Sequence, residues 1–499
     1  MIQTVADSCP RLSASCPRKS ALPMAFTKSK RRVIFYISVL IFFIITPAVI
    51  LYSLGYYYNL KNQTLIKTGG IFLKSSNASG YQVFLNGNFA KETSFITSGA
   101  LLGNLDAKEY YVEIKKDGFL PWSKTVKVEK EIVTEIRNVL LLPDIAANNI
   151  QQSYGTTTSN LSLLSISPDE SKVIIRDQKD GAIYLAETAN FGKNALNPIF
   201  PKHNILQARW SKNSQRILLK ELGNSWHLRD LANASSKNIL NLPEKVENLA
   251  AAAEEQRLSR AISYDFDESG PGKLFILDEY GTLLHMDYQN NPTSSIKMLL
   301  ENINSLTVLN NEILALFKNG FLAKNGLAGN KTEILGRKGF YLSADTAKIS
   351  KSKNGDIYLI DASGGLFFMK NGELEIQPLD GQVLGAEFDS ETKKLLYWKE
   401  SELHILFLKD ESYQPYRKDG THIKIPAVGE KIKKAAWHGG DDEHIIVLTQ
   451  NGIFVSDIDE RGGFFVKKII DGFVQNFIYS SQNQKLYWSD GRMVYEVAF

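Results

Sequence analysis

Between Val33 and Tyr58 the chain reads VIFYISVLIFFIITPAVILYSLGYYY, 26 residues without a charge. As a helix rising about 1.5 Å per residue this stretch reaches about 39 Å, enough to cross a hydrocarbon core of about 30 Å with some tilt. The pattern predicts a transmembrane helix over residues 33–58, with Pro47 tolerable inside it and Tyr56, Tyr57 and Tyr58 at the outer interface. After the polar spacer NLKNQTLIKT the period changes to two: in TVKVEK, Val126 and Val128 alternate with Lys127 and Glu129, the mark of a half-buried strand. Asn86-Gly87 and Asp117-Gly118 supply tight hairpins, because these residues accept positive φ. Residues 68–143 therefore read as a compact β-sandwich of short strands.

From about residue 160 the pattern repeats itself. The units run from ISPDESKVIIRDQKDGAIYL through AAWHGGDDEHIIVLTQNGIFVSDI to FIYSSQNQKLYWSDGRMVYEV, and eight can be laid side by side as strand, turn, strand, turn, strand. Their spacing of roughly 40 to 57 residues is that of propeller blades, and apolar spacing of 3.6, which a helical solenoid needs, is missing. Gly181, Gly281, Gly320, Gly364, Gly452 and Gly491 stand before the third strands. Trp210 and Trp437 share one position in the repeat, and Trp398 and Trp488 another, so these rings belong to the packing between blades. The expected fold is all-β: an N-terminal transmembrane helix, a small sandwich over 68–143 and an eight-bladed β-propeller over 147–499, with seven blades the alternative. The last unit ends after three strands, so ANNIQQSYGTTT (147–158) is expected to pair with its outer edge and latch the termini. The helix formers of PEKVENLAAAAEEQRLSRA predict a short helix or ordered insertion on one rim, against a loose loop.

Within the sandwich, GGIFLKSS, YQVFLNGN, KEYYVEIKKDGFLPWSKTVKV and the closing VLLLP resemble the PEGA domain family over about 75 residues. DGF after the strand is the most specific part, and SNASG at 76–80 departs from the name-giving Pro-Glu-Gly-Ala turn. The resemblance implies a non-catalytic extracytoplasmic β module, found beside membrane anchors and thought to contact envelope polymers. SPDESKVII similarly resembles the Ser-Pro-Asp turn of TolB-like and WD40-like propellers, and LYWSD is similar to the motif of YWTD propellers.

Charge changes the picture of partners. The formal charge is +4; residues 1–32 carry seven Lys or Arg against Asp7, so the remaining 467 residues sum to −2. A near-neutral body lacks the field that phosphate binding requires, which argues against nucleic acid. Lys28, Lys30, Arg31 and Arg32 abut the apolar stretch, placing residues 1–32 as a cytoplasmic tail and the bulk outside the cell membrane. SLG at 53–55 offers a signal-cleavage alternative, but the apolar core exceeds that of a signal peptide. Cys9 and Cys16 both precede the span, SASC is a poor lipoprotein site, and Met24 would make an ordinary start.

Candidate chemistry is sparse. AAWHGGDDEHIIVL brings His438 and His444 around three carboxylates, yet alignment puts His444 where sister units have Lys172, Arg216, Lys273, Lys394 and Lys485. The expected structure is a solvated acidic hairpin turn, and a mobile tip fixes no metal geometry. DFDESG (Asp265, Asp267, Ser269) begins like a calcium loop, but its twelfth position is Ile276, where a bidentate Glu is needed. DASGG at 361–365 lacks a partnered His, GNSWH misses the nucleophile elbow, and no Walker loop, dinucleotide fingerprint or HExxH is present. No catalytic, cofactor or metal residue is assigned. The expectation is a membrane-anchored, non-enzymatic binding or scaffold protein of the cell envelope, its partners the bilayer through residues 33–58 and an envelope protein or glycan. The alternative is a propeller hydrolase acting on envelope glycans or peptides, which needs converging carboxylates at the axial mouth. A signal receptor is disfavoured by the short arm of residues 1–32.

Overall fold

A computed structural model describes residues 28–499 apart from 54–55, 60–63, 95–97, 146–151, 156–158, 194–195, 201–203, 223–224, 232–238, 242–260, 271, 288–295, 310–311, 327–331, 336–347 and 427–428. Most of the helix-forming insertion, and Met24, Cys9 and Cys16, lie outside the described residues.

The apolar stretch forms helix α1, Lys28–Ser53, long and apolar enough to cross a membrane, with its side chains unburied. It begins and ends earlier than the uncharged run. Tyr56–Asn59 is a strand paired antiparallel with Thr64–Lys67, so the tyrosine triplet is β structure and the expected spacer contributes its partner. Aromatic residues favour strands, and the Ser-Leu-Gly that precedes them is a poor helix interior.

Residues 69–139 build two sheets. One is three-stranded, with Gly69–Ser75 between Gly99–Leu105 (antiparallel) and Val133–Val139 (parallel). The other is four-stranded and antiparallel, in the order Asn88–Glu92, Gln82–Leu85, Glu109–Lys115, Trp122–Lys127. Ile71, Leu73, Tyr81, Val83, Val112, Ile114 and Trp122 share one core between them. Asn86 (φ 50) and Gly87 (φ 79) make the expected hairpin turn.

Eight further four-stranded antiparallel sheets, among the described residues, follow one another along the chain. Sheet one opens with Leu161–Ile166 and sheets two to eight with Ile205–Trp210, Ala261–Phe266, Ile303–Leu309, Lys348–Lys351, Gly385–Phe388, Lys434–Trp437 and Asn476–Ser480. Sheets one to seven are meanders whose strands pair with their sequence neighbours. Sheet eight has three strands from its own unit, and Gln152–Tyr154 adds the fourth against Val494–Ala498, Tyr154 opposite Val494.

Packing shows how the sheets are arranged. Ile174 and Ile183 of sheet one cluster with Ile217 and Leu219 of sheet two. Leu218 and Trp226 then meet Tyr264 and Leu274, and so on through every consecutive pair to Leu396 and Leu403 against Ala435 and Ile445. Ile446 and Val455 of sheet seven join Phe477 and Leu486 of sheet eight. Tyr487 and Val494 of sheet eight cluster with Leu161 and Val173 of sheet one, so the series closes on itself as a β-propeller ring. First strands touch between sheets one and two, four and five, six and seven, and eight and one, which sets them around the axis. A sheet with two apolar faces cannot stand in water alone, and each neighbour covers one of the two faces.

Candidate functional site

A meander places the turns between first and second strands on the same rim as the loops between third and fourth strands. The small β domain sits on this rim at sheets six and seven. Lys124 Nζ lies 2.7 Å from Asp457 Oδ2 and donates to Asp459 O at 2.5 Å. Arg461 donates to Glu135 O at 2.7 Å, and Gln414 bonds Val133 O (3.0 Å) and Glu135 N (3.1 Å) along the edge strand. Trp122 packs on Phe465 with 6.0 Å between ring centroids. Gly462 (φ 68) lets the loop approach so closely that a Cβ there would stand 1.7 Å from Thr125 O.

Beside this contact a groove of about 930 Å³ runs between the small domain and the first turns of sheets six and seven. Its walls are Ser76, Asn77 and Arg137 on one side and Ser390, Lys394 and Asp442 on the other. A second groove of about 1000 Å³ begins across the Asp389–Thr392 turn and reaches Glu387 on the first strand of sheet six.

The ridge between the grooves is a buried charge network. Lys394 Nζ donates to Glu443 Oε1 at 2.8 Å and Asp442 O at 3.1 Å, and lies 3.5 Å from Glu411 Oε1 and 4.0 Å from Asp389 Oδ2. Burial works against the Lys394 charge, but Glu443, Glu411 and Asp389 outweigh it and raise its pKa. Burial pushes Asp389 up to about 6, against the backbone N–H and ammonium of Lys394. Asp442 ties the two turns together by accepting from Ser390 N at 3.2 Å and from the Ser390 hydroxyl.

Here the expected solvated histidine turn proves wrong: His438 and His444 are buried, as are Asp441 and Asp442. Asp441 stands 2.8 Å from His444 Nδ1 and 3.5 Å from His438 Nδ1, and His438 Nε2 meets the Tyr479 hydroxyl at 2.8 Å. Burial disfavours the Asp441 carboxylate, but the two imidazoles hold it well below the usual range; Asp441 in turn raises His444 against its burial. The turn is covered by the neighbouring sheets, with Ser390 and Lys394 of sheet six bonded to Asp442 and Tyr479 and Phe499 of sheet eight packed on His438, which a repeat alignment does not encode. His444 nonetheless opens the second strand, His444–Leu448, as the alignment requires.

The calcium-like residues part company. Asp267 accepts from Ser269 N at 2.9 Å and holds His285 Nε2 at 2.7 Å, while Asp265 Oδ2 faces Arg209 at 3.6 Å. Among the described residues no group of three His, Cys, Asp or Glu side chains is placed to hold a metal ion. In DASGG the Ser363 hydroxyl donates to Asp361 Oδ1 at 2.7 Å and serves the turn.

The axis holds charges that the sequence reading missed. Lys348, Glu387 and Lys434 stand on the first strands of sheets five, six and seven and act on one another electrostatically. Burial pushes Glu387 up to about 7, with Lys434 and Lys348 only partly offsetting it; burial likewise lowers Lys348 and Lys434. No motif marks them, and strand register places them at different heights: Lys348 and Lys434 open their first strands, and Glu387 stands one residue short of the end of its own. The same register explains the tryptophans: Trp210 Nε1 donates to Ser165 Oγ (3.1 Å) and Trp437 Nε1 to Glu387 O (3.2 Å), each reaching the first strand of the preceding sheet.

No family profile and no curated protein matches the chain. Solved structures similar to it include the C-terminal WD40 domain of Sif2, at 12% identity over 70% of this chain and 99% of that one, TM-score 0.47. The computationally designed Ika8 protein is similar at 12% identity over 70% and 100%, TM-score 0.46. The β-propeller domain of Cps50 (Swd1) from Myceliophteria thermophila is similar at 11% identity over 70% and 100%, TM-score 0.40.

Proposed function

We propose that the chain is a membrane-tethered binding scaffold of the cell envelope, with α1 crossing the bilayer, residues 1–32 in the cytoplasm and the rest outside. The small domain is a PEGA-like module and the ring an eight-bladed propeller that engages an envelope protein or glycan. The observation that carries this reading is mechanical. An unburied apolar helix precedes a domain pinned to the ring by the buried Lys124–Asp457 pair, so the ring is held at a set attitude to the domain that follows the anchor. Among the described residues, the rim opposite the small domain presents Leu222, Tyr280, Leu384 and Phe473, all exposed. Side chains of this kind, set among polar turns, suit protein or glycan contact.

In situ photocrosslinking from Tyr280 and Phe473, with Ile132 on the small domain as comparison, tests the reading. Specific adducts from that rim support it; a chain released by alkaline carbonate without detergent sinks it. Hydrolysis is a second reading, resting on Glu387, which lines the groove at the Asp389–Thr392 turn and whose carboxyl is raised by burial. Turnover of an envelope glycan or peptide that Glu387→Gln abolishes would favour it over the scaffold.

A further inference from the structure

One end of the small domain gathers what a bilayer surface would accept. The Asn86–Gly87 turn, the Asp106–Lys108 turn and the Glu129–Ile132 turn lie together there. Asn86 N donates to Tyr111 O at 2.8 Å, Val128 N to Lys108 O at 3.0 Å, and Gly69, which pairs with Leu105, begins the strand beside Val133. The anchor ends at the same place: Asn104 Nδ2 donates to the Tyr52 hydroxyl at 3.2 Å in the last turn of α1. Three apolar side chains stand out from this end, Phe89 at 59% exposure, Tyr111 at 48% and Ile132 at 47%. Phe89 is braced edge-on against Phe84 with centroids 5.8 Å apart, so the ring is held outward rather than folded back.

We infer that this end of the domain rests in the interfacial layer of the bilayer that holds α1, with Phe89, Tyr111 and Ile132 inserted among headgroups. The inference rests on the reading of α1 as a membrane span. Aromatic rings with one polar edge favour the headgroup layer, where the apolar body leaves water and a hydroxyl stays hydrated. Charge contributes little. Lys67, Lys108, Lys127 and Lys130 at this end are balanced by Asp106, Glu109, Glu129 and Glu131, with Lys67–Glu131 at 2.6 Å and Lys127–Glu129 at 3.0 Å already paired. Contact is therefore apolar in origin and independent of anionic lipid, unlike that of a polybasic patch. A second support beside α1 fixes the tilt of the domain and, through its contact with sheets six and seven, that of the ring.

The test uses the full chain with Cys9→Ser and Cys16→Ser, reconstituted into phosphatidylcholine vesicles and carrying a polarity-sensitive fluorophore at one position. Phe89→Cys and Tyr111→Cys report the proposed contact, and Leu222→Cys on the opposite rim is the reference. Labels at 89 and 111 should emit to the blue of the label at 222 and be quenched by lipid carrying a headgroup-proximal nitroxide, equally with and without phosphatidylglycerol. Water-like, unquenched emission at 89 and 111 in a chain that floats with the vesicles overturns the contact and leaves the anchor reading standing. Quenching that appears only with phosphatidylglycerol overturns its apolar origin. A chain that does not float with the vesicles overturns both readings.

Discussion

The Lys124 ammonium meets the Asp457 carboxylate at 2.7 Å with side chains 2% and 10% exposed, joining two units more than 300 residues apart in the sequence. Taking both charges out of water is costly, and their attraction roughly offsets that cost, so the pair specifies docking more than it stabilises it. Removing one partner is different. Lys124→Met leaves Asp457 charged and buried and should cost about 3 to 5 kcal/mol, read as a lowered first transition in thermal unfolding. Burial already raises the Asp457 pKa against Lys124, and losing Lys124 raises it further. A carboxyl raised in the folded state loses stability as pH climbs towards its folded pKa, so the defect should shrink between pH 8 and pH 5. A defect constant across that window would mean Asp457 is not the group left exposed to the penalty.

Gly462 tests the same interface by volume. With φ 68 and a Cβ position 1.7 Å from Thr125 O, Gly462→Ala forces the loop away from the small domain. The neighbouring Gly463 (φ 92) has open space at its Cβ position, so Gly463→Ala carries the backbone strain without the clash. Limited proteolysis should cut Gly462→Ala in the 457–465 loop well before Gly463→Ala; equal rates would show that strain, not contact, dominates.

The fold was readable where the sequence repeats and dim where it does not. Trp210 and Trp437 gave the register because each serves the same neighbour contact, and the chain's need to close predicted that 147–158 would pair with the outer edge of the last sheet, where Tyr154 stands opposite Val494. His438 and His444 misled because burial at a rim depends on which side chains of the neighbouring sheets reach it, and no property of a turn records its cover. Tyr56, Tyr57 and Tyr58 were absorbed into the helix because uncharged composition does not separate the end of a span from a strand that follows it. Glu387 carried no motif; its environment comes from Lys348 and Lys434 on separate strands brought to one axis.

Ring closure depends on Tyr154, buried among Phe191 (4.7 Å between centroids), Leu161 and Tyr487. Truncating a buried aromatic costs about 3 to 5 kcal/mol, and here the loss falls on the strand that completes sheet eight. Tyr154→Ala should speed amide exchange in Val494–Ala498 and Leu161–Ile166 far more than in sheets four and five. Uniform acceleration around the ring would mean that closure is not local to this strand.

Glu387 sets a pH dependence of its own. Its carboxyl is pushed up to about 7 in the folded chain, against about 4.3 for a free glutamate. The folded state therefore holds the proton more tightly, and the stabilisation is full below the unfolded pKa and lost as pH rises through the folded one. Between pH 4.5 and 7 the wild type should lose about 1 to 3 kcal/mol through this group, the upper bound being the full shift and the lower allowing for channel water. Glu387→Gln keeps the shape and removes the titration. Chemical denaturation at pH 5 and pH 8 should show the variant gaining on the wild type at the higher pH. An unchanged difference would show that channel water hydrates the carboxylate and that Lys348 and Lys434 need no counter-charge.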